Sequence, residues 1–335
     1  MAFAANGEYI VGGGDELGVW RLGVEGGRQI ATMACDHVYC LAVSKDGRWI
    51  TTGSVWGHVI MWDAKTFEKV LSHREGDYAI SGFDFSPDST RSVTSYDHTA
   101  TIWDIATRKK ILSLDHKGWV IAAKYSPQGD RIATATGYSV RVWDSNDGRL
   151  LVDIPVKVTS DYNAGLLWSD NHLFVISDST IKQLEASTGS TVSEWLVPNT
   201  HRLSCIALPK HGKFIAYSTN DTVTFWDTST HTQLGLIKHT QPIRSIALSP
   251  DDQFLAIGGQ GGKITIRSLS RITVSIVFVS IIPDLNNFLV PLAFLNRIQF
   301  HCLVYIPLYR NLSFRSTALR SIHGSTIGSR TRTRY

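Results

Sequence analysis

The stretch TATIWDIATRKKILSL, residues 99–114, decides the fold of this chain. A run of alternating apolar and polar residues ends at Trp103-Asp104, a short polar segment follows, and a second alternating run closes the stretch. Alternation with a period of two is typical of β-strands, and a short polar segment between two such runs is typical of a turn. The stretch therefore predicts a β-hairpin, and similar stretches recur along the chain.

The position of Trp103 repeats at spacings of 40 to 42 residues, with other residues in place of Trp in two copies. The seven phase positions are Trp20, Trp62, Trp103, Trp143, Leu184, Trp226 and Arg267. Segments such as SPDS at 86–89 and SPQG at 126–129 recur at the same spacing. They are predicted to be type I turns, because Pro, Asp and Gly suit such turns. Four strand-length runs in each period predict an all-β fold, a seven-bladed β-propeller of four-stranded blades.

The repeated Trp has an architectural explanation. A four-stranded blade cannot bury both of its faces alone, so it stacks on its neighbours around an axis. A Trp between two blades removes roughly 150–250 Å² from water, at most about 4–6 kcal/mol of stabilisation. We expect the Trp residues to pack between blades and the Asp that follows to bind the backbone of the next turn.

Charge is distributed unevenly over the 335 residues, whose total net charge is +4. Eight Arg and one acid, Asp284, give residues 271–335 a charge of +7, so residues 1–270 carry −3. The basic balance therefore belongs to the tail, and it does not indicate nucleic-acid binding by the repeats. Four Cys without C-x-x-C spacing predict neither a disulfide framework nor a zinc site. The absence of a signal peptide predicts a cytoplasmic or nuclear protein.

Over about residues 1–270, the phased Trp-Asp pairs and turns resemble those of the WD40-repeat family. The resemblance implies a ring of blades, most often seven, that binds proteins or peptides on its faces and rarely catalyses a reaction. It predicts a scaffold or adaptor that is not an enzyme, with no cofactor, no metal and no catalytic residue. The expected partner is a protein or peptide, bound by a monomeric propeller within a complex; neither nucleic acid nor membrane is inferred.

Family blades often join a His, a Ser or Thr, an Asp and the Trp in one hydrogen-bonded set, and no repeat here has all four. The fourth repeat has His116, Thr134 and Trp143. In the third repeat, alignment places Gly76 where the His is expected and Val93 where the Ser is expected. We therefore expect apolar packing to hold the blades more than these networks do.

The composition changes after the seventh repeat, which divides the chain into a propeller over 1–280 and a non-propeller tail over 281–335. The tail has three interpretations: a transmembrane segment, an interaction tail, or sequence foreign to the fold. Prolines and Arg297 argue against a membrane span, and the absence of a helical period argues against an interaction helix. Sequence foreign to the fold fits best, so we expect a tail that is disordered or foreign to the fold, except that β-branched residues 272–280 could supply the outer strand of the last blade.

One glycine-rich stretch could be interpreted as a phosphate-binding loop. The stretch GGQGGKIT, 258–265, lacks the Gly-Lys-Ser/Thr of a phosphate loop and lies where every repeat has a turn.

Two alternatives to a scaffold stay open: a hydrolase-like propeller enzyme with a site at the channel mouth, and an inactive fragment of a larger WD40-containing signalling protein.

Partner binding is expected on the face where the first strands begin and where the turns before the third strands lie. Aromatic and Arg side chains dominate interface hot spots, and this face concentrates them. The candidate residues are His37, Tyr39, Trp119, Tyr162, Arg202 and Arg244 at the first strands, and Trp56 and Tyr96 at the turns. Arg202 and Arg244 predict a partner with acidic character.

Overall fold

The computed structural model describes residues 1–269 except 5–6, 15–16, 23–27, 36, 159–164, 178–179, 198–202, 210–211 and 261. Every regular element within these residues is a β-strand. The 27 strands group into seven antiparallel sheets, and in each sheet the strand order follows the chain. This arrangement confirms the predicted all-β propeller with seven blades.

The first four blades each contain four strands. Blade 1 comprises β1 (Ala2–Ala4), β2 (Tyr9–Gly13), β3 (Leu17–Arg21) and β4 (Arg28–Met33). Blade 2 comprises β5 (Val38–Val43), β6 (Trp49–Ser54), β7 (His58–Asp63) and β8 (Lys69–Arg74). Blade 3 comprises β9 (Ile80–Phe85), β10 (Arg91–Tyr96), β11 (Thr99–Asp104) and β12 (Lys110–Asp115). Blade 4 comprises β13 (Val120–Tyr125), β14 (Arg131–Thr136), β15 (Ser139–Asp144) and β16 (Leu150–Pro155).

The last three blades continue the pattern up to the seventh sheet. Blade 5 comprises β17 (Leu166–Ser169), β18 (His172–Ser177), β19 (Thr180–Glu185) and β20 (Thr191–Leu196). Blade 6 comprises β21 (Leu203–Ala207), β22 (Phe214–Thr219), β23 (Thr222–Asp227) and β24 (Gln233–Lys238). Blade 7 comprises β25 (Ile243–Leu248), β26 (Phe254–Gly259) and β27 (Ile264–Ser268). The seven phase positions all lie on third strands, and the predicted tail, 281–335, lies outside the described residues.

Neighbouring blades are joined by seven apolar clusters, one for each pair. Trp143 of blade 4 packs in one cluster with Ile102 of blade 3, and Trp62 of blade 2 packs in another with Val19 of blade 1. Both indoles are at least 93% buried, which confirms for these two residues that the repeated Trp packs between blades. The ring closes where Phe3 and other residues of blade 1 pack against Ala256 of blade 7.

In the repeats that have a Trp-Asp pair, the Asp caps the turn between the third and fourth strands. The Asp63 carboxylate accepts hydrogen bonds from the backbone N–H groups of Thr66 and Lys65, each at 2.9 Å. These bonds hold the pKa of Asp63 below its ordinary value, because they stabilise the ionised form. Asp144 behaves similarly, with its pKa lowered chiefly by the backbone N–H of Asn146. The expected bond between this Asp and the turn backbone is confirmed in these repeats.

The described residues contain no helix of the length and apolar character needed to cross a membrane.

Candidate functional site

The loops that enter each blade and the turns before each third strand lie on the same face, because the strands of each blade run antiparallel in chain order. Backbone hydrogen bonds join them in pairs. The N–H of Val120, which begins β13, donates to the Asp97 carbonyl at 2.7 Å, and the N–H of His116 donates to the His98 carbonyl at 2.8 Å. Side chains from consecutive blades are thereby held side by side on this face.

Five aromatic residues on this face over blades 2–4 form what we call the aromatic patch. They are Trp56, Tyr78, Tyr96, Trp119 and Tyr138. Trp56 and Trp119 are each 55% exposed, Tyr78 is 49% exposed and Tyr138 is 82% exposed, whereas Tyr96 is half-buried. Exposed large apolar side chains that gather in one place mark interaction surfaces on soluble proteins.

Trp56 occupies the turn between β6 and β7. The Ser54 hydroxyl accepts hydrogen bonds from the N–H groups of Trp56 and His58, each at 3.1 Å. Gly57 has a φ of 77°, and a Cβ there would overlap the Gly76 carbonyl oxygen. Arg74 also donates from its Nε to the Trp56 carbonyl oxygen at 3.2 Å. The turn that carries Trp56 is therefore attached to the loop that leads into blade 3.

Tyr78 and Tyr96 contact each other at the start of blade 3. Their ring centroids lie 6.3 Å apart, and the Tyr78 N–H donates to the Tyr96 hydroxyl at 3.4 Å. The loop passes so close to the ring that a Cβ at Gly76 would overlap the Tyr96 hydroxyl. Glycine at this position is what allows Tyr96 to support Tyr78.

Trp119 joins the patch from the loop that leads into blade 4. Its indole contacts the Tyr78 ring edge to face, with centroids 5.1 Å apart and an interplanar angle of 63°. The His98 imidazole also lies near Trp119, with ring centroids 6.3 Å apart, and is 3.4 Å from the Asp97 carboxylate. Trp119 could have belonged to the core, but its exposure places it on the surface.

Tyr138 extends the patch over blade 4 from the turn between β14 and β15. The Thr136 hydroxyl accepts hydrogen bonds from the N–H groups of Tyr138 and Ser139, at 3.3 and 3.1 Å. A Cβ at Gly118 would lie 3.8 Å from the Tyr138 ring, so this ring stands beside the loop that carries Trp119. The patch thus runs continuously from blade 3 to blade 4.

A buried hydrogen-bond chain supports the loop before Trp119. Trp143 donates from Nε1 to the Thr134 hydroxyl at 2.8 Å, and this hydroxyl lies 2.8 Å from His116 Nε2. His116 Nδ1 lies 2.9 Å from the Leu114 carbonyl oxygen, so the neutral ring donates there and accepts from Thr134. Burial lowers the pKa of His116 to about 4, which keeps the ring neutral near pH 7.

The equivalent chain in blade 3 corrects the alignment made from sequence. Trp103 donates from Nε1 to the Thr94 hydroxyl at 3.1 Å, and Thr94 donates to the Glu75 carboxylate at 2.7 Å. The alignment placed Gly76 and Val93 at the positions of the His and the Ser, and each assignment was wrong by one residue. Glu75 takes the place of the His, since a carboxylate can accept the hydroxyl proton as an imidazole does. The chain supports the loop before Tyr78 just as His116 supports the loop before Trp119.

An exposed Arg–Asp ion pair borders the patch. Arg74 and Asp77 lie 2.7 Å apart, with side chains 51% and 84% exposed. An exposed pair of this kind contributes little to folding stability. Its charged groups border the patch as a polar rim borders the apolar centre of an interface.

The other predicted site residues are not gathered at the patch. His37 is exposed before β5, Tyr39 is half-buried inside β5, and Arg244 is exposed inside β25 of blade 7. Tyr162 and Arg202 lie outside the described residues. From the predicted set, the structure places Tyr96 and Trp119 against Tyr78, and it places Trp56 on a turn attached to the same loop.

Two patch residues and His98 were missed from the sequence, although the repeat could have revealed them. Tyr78 follows its phase position, Trp62, by 16 residues, and Trp119 follows Trp103 by the same 16 residues. Tyr138 precedes its phase position by five residues, as His98 does in the previous repeat. Comparing equivalent positions across repeats would have found both tyrosines.

Within the described part of the chain, no group of three or more His, Cys, Asp and Glu side chains is placed to hold a metal ion.

Known repeat sequences match four segments of this chain. The segments 27–63, 65–104, 108–144 and 230–267 match the family described as WD domain, G-beta repeat. These four segments are WD40 repeats. All four matched segments end at or one residue after a phase position, and the strands between the third and fourth segments, β16 to β23, keep the same strand order without a match.

Individual relatives are distant. The chain is 26% identical over 280 residues to WD repeat-containing protein 18 of Danio rerio, covering 73% of this chain and 63% of that protein. It is 24% identical over 212 residues to the U3 small nucleolar RNA-associated protein 15 homolog of Xenopus laevis, covering 62% of this chain and 33% of that protein. It is 25% identical over 236 residues to WD repeat-containing protein 1 of Gallus gallus, covering 66% and 32%. The chain thus spans less than two thirds of the length of these relatives.

Proposed function

We propose that this WD40 propeller is a protein-interaction scaffold that binds a peptide or protein segment on the aromatic patch. The observation that carries the proposal is the contact between Tyr78 and Trp119, two exposed rings from different loops that touch at 5.1 Å. Aromatic side chains bury a large area on binding and lose few rotamers, so they dominate interface hot spots. A partner that covers the patch would remove this apolar area from water.

The patch is suited to binding because its loops are already fixed. Thr94 and Thr134 each accept the indole N–H of the phase Trp of their blade and bond to Glu75 or His116, which flank the patch loops. A preformed site loses less conformational entropy when it binds than a mobile loop does. We therefore expect binding without rearrangement of blades 2–4.

Selection from a random peptide library tests the proposal without requiring an identified partner. Phage-displayed random peptides are selected on the full chain, and the enriched peptides are measured against a Tyr78→Ala/Trp119→Ala variant and a Phe254→Ala control. Phe254 is an aromatic residue of blade 7, 43% exposed and outside the patch. We expect the patch variant to lose at least about tenfold in affinity, the effect of a hot-spot truncation, and the control to bind normally. Equal binding by all three proteins would overturn the proposal.

The predicted acidic partner remains part of the proposal. Arg244 is exposed and lies on the first strand of blade 7, so it could contact an acidic segment that extends beyond the patch. Charge reversal, Arg244→Glu, should then weaken acidic peptides from the selection more at low salt than at high salt. Salt-independent affinities would contradict an acidic contact at this position.

Of the two predicted locations, the cytoplasm and the nucleus, we favour the nucleus. It is supported by relatives from Xenopus laevis, Xenopus tropicalis and Gallus gallus whose names refer to the U3 small nucleolar RNA. Fluorescence microscopy of the tagged full chain tests it, and exclusion from the nucleus would contradict it.

A further inference from the structure

Acidic side chains outnumber basic ones in the loops and turns that carry the aromatic patch. These segments are 55–58, 74–78, 96–98, 115–119 and 136–139. Together they contain four acids, Glu75, Asp77, Asp97 and Asp115, and two bases, Arg74 and Lys117, which gives a net charge of −2 with His neutral. Because interfaces pair opposite charges, this surface suits a partner segment that carries positive charge.

Asp97 brings one of these carboxylates beside the rings. It follows Tyr96 in the turn between β10 and β11, and its side chain is 33% exposed. The carboxylate lies 3.4 Å from His98 Nε2, and the His98 ring lies next to the Trp119 indole. Apart from this contact with His98, the described part of the chain supplies the carboxylate with no hydrogen-bond donor. Its two oxygens can therefore accept both arms of a forked donor.

Two of the other carboxylates near the rings are already engaged. Glu75 accepts the Thr94 hydroxyl proton at 2.7 Å in the chain that leads to Trp103. Asp77 lies 2.7 Å from the Arg74 guanidinium, which also donates to a backbone carbonyl. Asp97 is therefore the carboxylate of blade 3 that is best placed to bind a charge from outside.

The rings of Tyr78 and Trp119 have faces open to solvent. In an edge-to-face pair one ring offers only its edge, so the contact covers at most one of the four ring faces. Open indole and phenol faces attract cations, and an indole attracts them best. Both guanidinium–indole contacts found within the described residues lie at other indoles, with Arg48 4.6 Å from the Trp49 centroid and Arg141 5.9 Å from that of Trp143.

We propose that the aromatic patch binds an arginine side chain of the partner, whose guanidinium stacks on the Trp119 indole and pairs with the Asp97 carboxylate. This inference rests on the proposed function and specifies the chemistry of the partner. Arginine fits better than lysine because its planar group stacks on a ring while its fork of N–H groups binds a carboxylate. The acidic contact proposed at Arg244 concerns blade 7, so the two charges belong to different parts of a partner.

Peptides selected on the full chain by phage display supply the probes. Each arginine of an enriched peptide is replaced in turn by citrulline, which keeps the shape of the side chain without its charge, and by lysine, which keeps the charge without the planar fork. We expect one arginine whose replacement by citrulline lowers the affinity at least about tenfold, because the cation–π contact and the ion pair are lost together. Replacement of the same residue by lysine should lower it severalfold.

A double-mutant cycle tests the pairing with Asp97. The citrulline replacement should cost less than about threefold in Asp97→Asn, because the partner of the guanidinium is then absent. Asn also tolerates the φ of 49° at this position, so the variant should fold normally. Asp221→Asn is the matched control, since Asp221 is a half-buried acid in the corresponding turn of blade 6. This control should show the full loss of about tenfold.

The outcomes separate this inference from the proposed function. Peptides that require Tyr78 and Trp119 but bind equally well with citrulline or with lysine would overturn the arginine assignment and leave the scaffold proposal standing. An equal citrulline loss in the wild type and in Asp97→Asn would overturn the pairing with Asp97. Peptides that bind independently of Tyr78 and Trp119 would overturn both proposals.

Discussion

The indole of Trp119 contacts the ring of Tyr78 edge to face, with centroids 5.1 Å apart, although Tyr78 lies in the loop that leads into blade 3 and Trp119 in the loop that leads into blade 4. Each ring is about half exposed. The contact exists because every blade places its entry loop at the same height on one face, so equivalent residues of consecutive repeats become neighbours. A repeat in sequence thereby becomes a continuous surface in space, as in other repeat architectures.

Replacement of Gly76 by Ala should displace Tyr96, which supports Tyr78 in the aromatic patch. The new Cβ would overlap the Tyr96 hydroxyl, so we expect a loss of about 1–3 kcal/mol in the free energy of unfolding, typical of overpacking. Peptides selected on the wild-type chain should also bind the variant more weakly. Gly118→Ala is the control, because its Cβ would lie 3.8 Å from Tyr138 in ordinary contact. Urea denaturation of both variants measures the difference, and equal stabilities would contradict the close packing of Gly76 on Tyr96.

Replacement of Thr134 by Val should be costly. The change leaves Trp143 Nε1 and His116 Nε2 without their shared partner, and each unsatisfied buried group costs about 1–3 kcal/mol. Thr51→Val is the matched control, since the buried Thr51 hydroxyl has no hydrogen-bond partner among the described residues. We expect the control to be neutral or slightly stabilising in denaturant titrations. A similar loss in both variants would mean that the hydrogen-bond chain contributes nothing.

The buried His116 predicts a specific pH dependence of stability. Its pKa falls from the ordinary 6.5 to about 4 in the folded protein, so between these pH values the unfolded chain binds a proton that the folded chain does not. The free energy of unfolding should therefore decrease as the pH is lowered from 6.5 towards 4, by at most about 1.4 kcal/mol per pH unit from this residue. The contribution is fully present above pH 6.5.

His116→Gln removes the titration while keeping a side chain that can accept a hydrogen bond from Thr134. Its stability, measured by denaturant unfolding between pH 7 and 5, should depend less steeply on pH than that of the wild type. Parallel curves would show that the imidazole is not buried in its neutral form. His98→Gln is the control, since His98 has a side chain 46% exposed.

Two truncations should separate the end of the propeller from the predicted tail. Deletion of residues 284–335 should leave the melting temperature nearly unchanged, because this segment lacks the repeat phase. Deletion of residues 272–335 should lower it, because the sequence predicts that β-branched residues 272–280 could supply the outer strand of the last blade. Differential scanning calorimetry compares the two proteins. Unfolding of the protein that lacks 284–335 would contradict a tail foreign to the fold, and equal melting temperatures would contradict the expected outer strand at 272–280.

The number of blades could be predicted from sequence because a period is a local property. Each repeat must bury the same two faces, so the Trp and turn residues return at 40 to 42 residues even where individual copies are degenerate. Leu184 illustrates this point, since it is 2% exposed in the place of a Trp. The position of the hydrogen-bond chain in blade 3 did not follow from the period, because Glu75 and Thr94 satisfy the same geometry one residue away from the expected His and Ser.

The sequence by itself determined the architecture: seven phased repeats, the strand that carries each phase residue, and turns capped by Asp. Tertiary structure alone decided which of these residues meet. Tyr78 and Trp119 are 41 positions apart, and only the ring places their loops side by side. Whether a given Trp is buried was also decided by its neighbours, since Trp62 and Trp20 share a phase but only Trp62 is covered. Burial depends on the side chains that the adjacent blade supplies, and the local pattern does not contain that information.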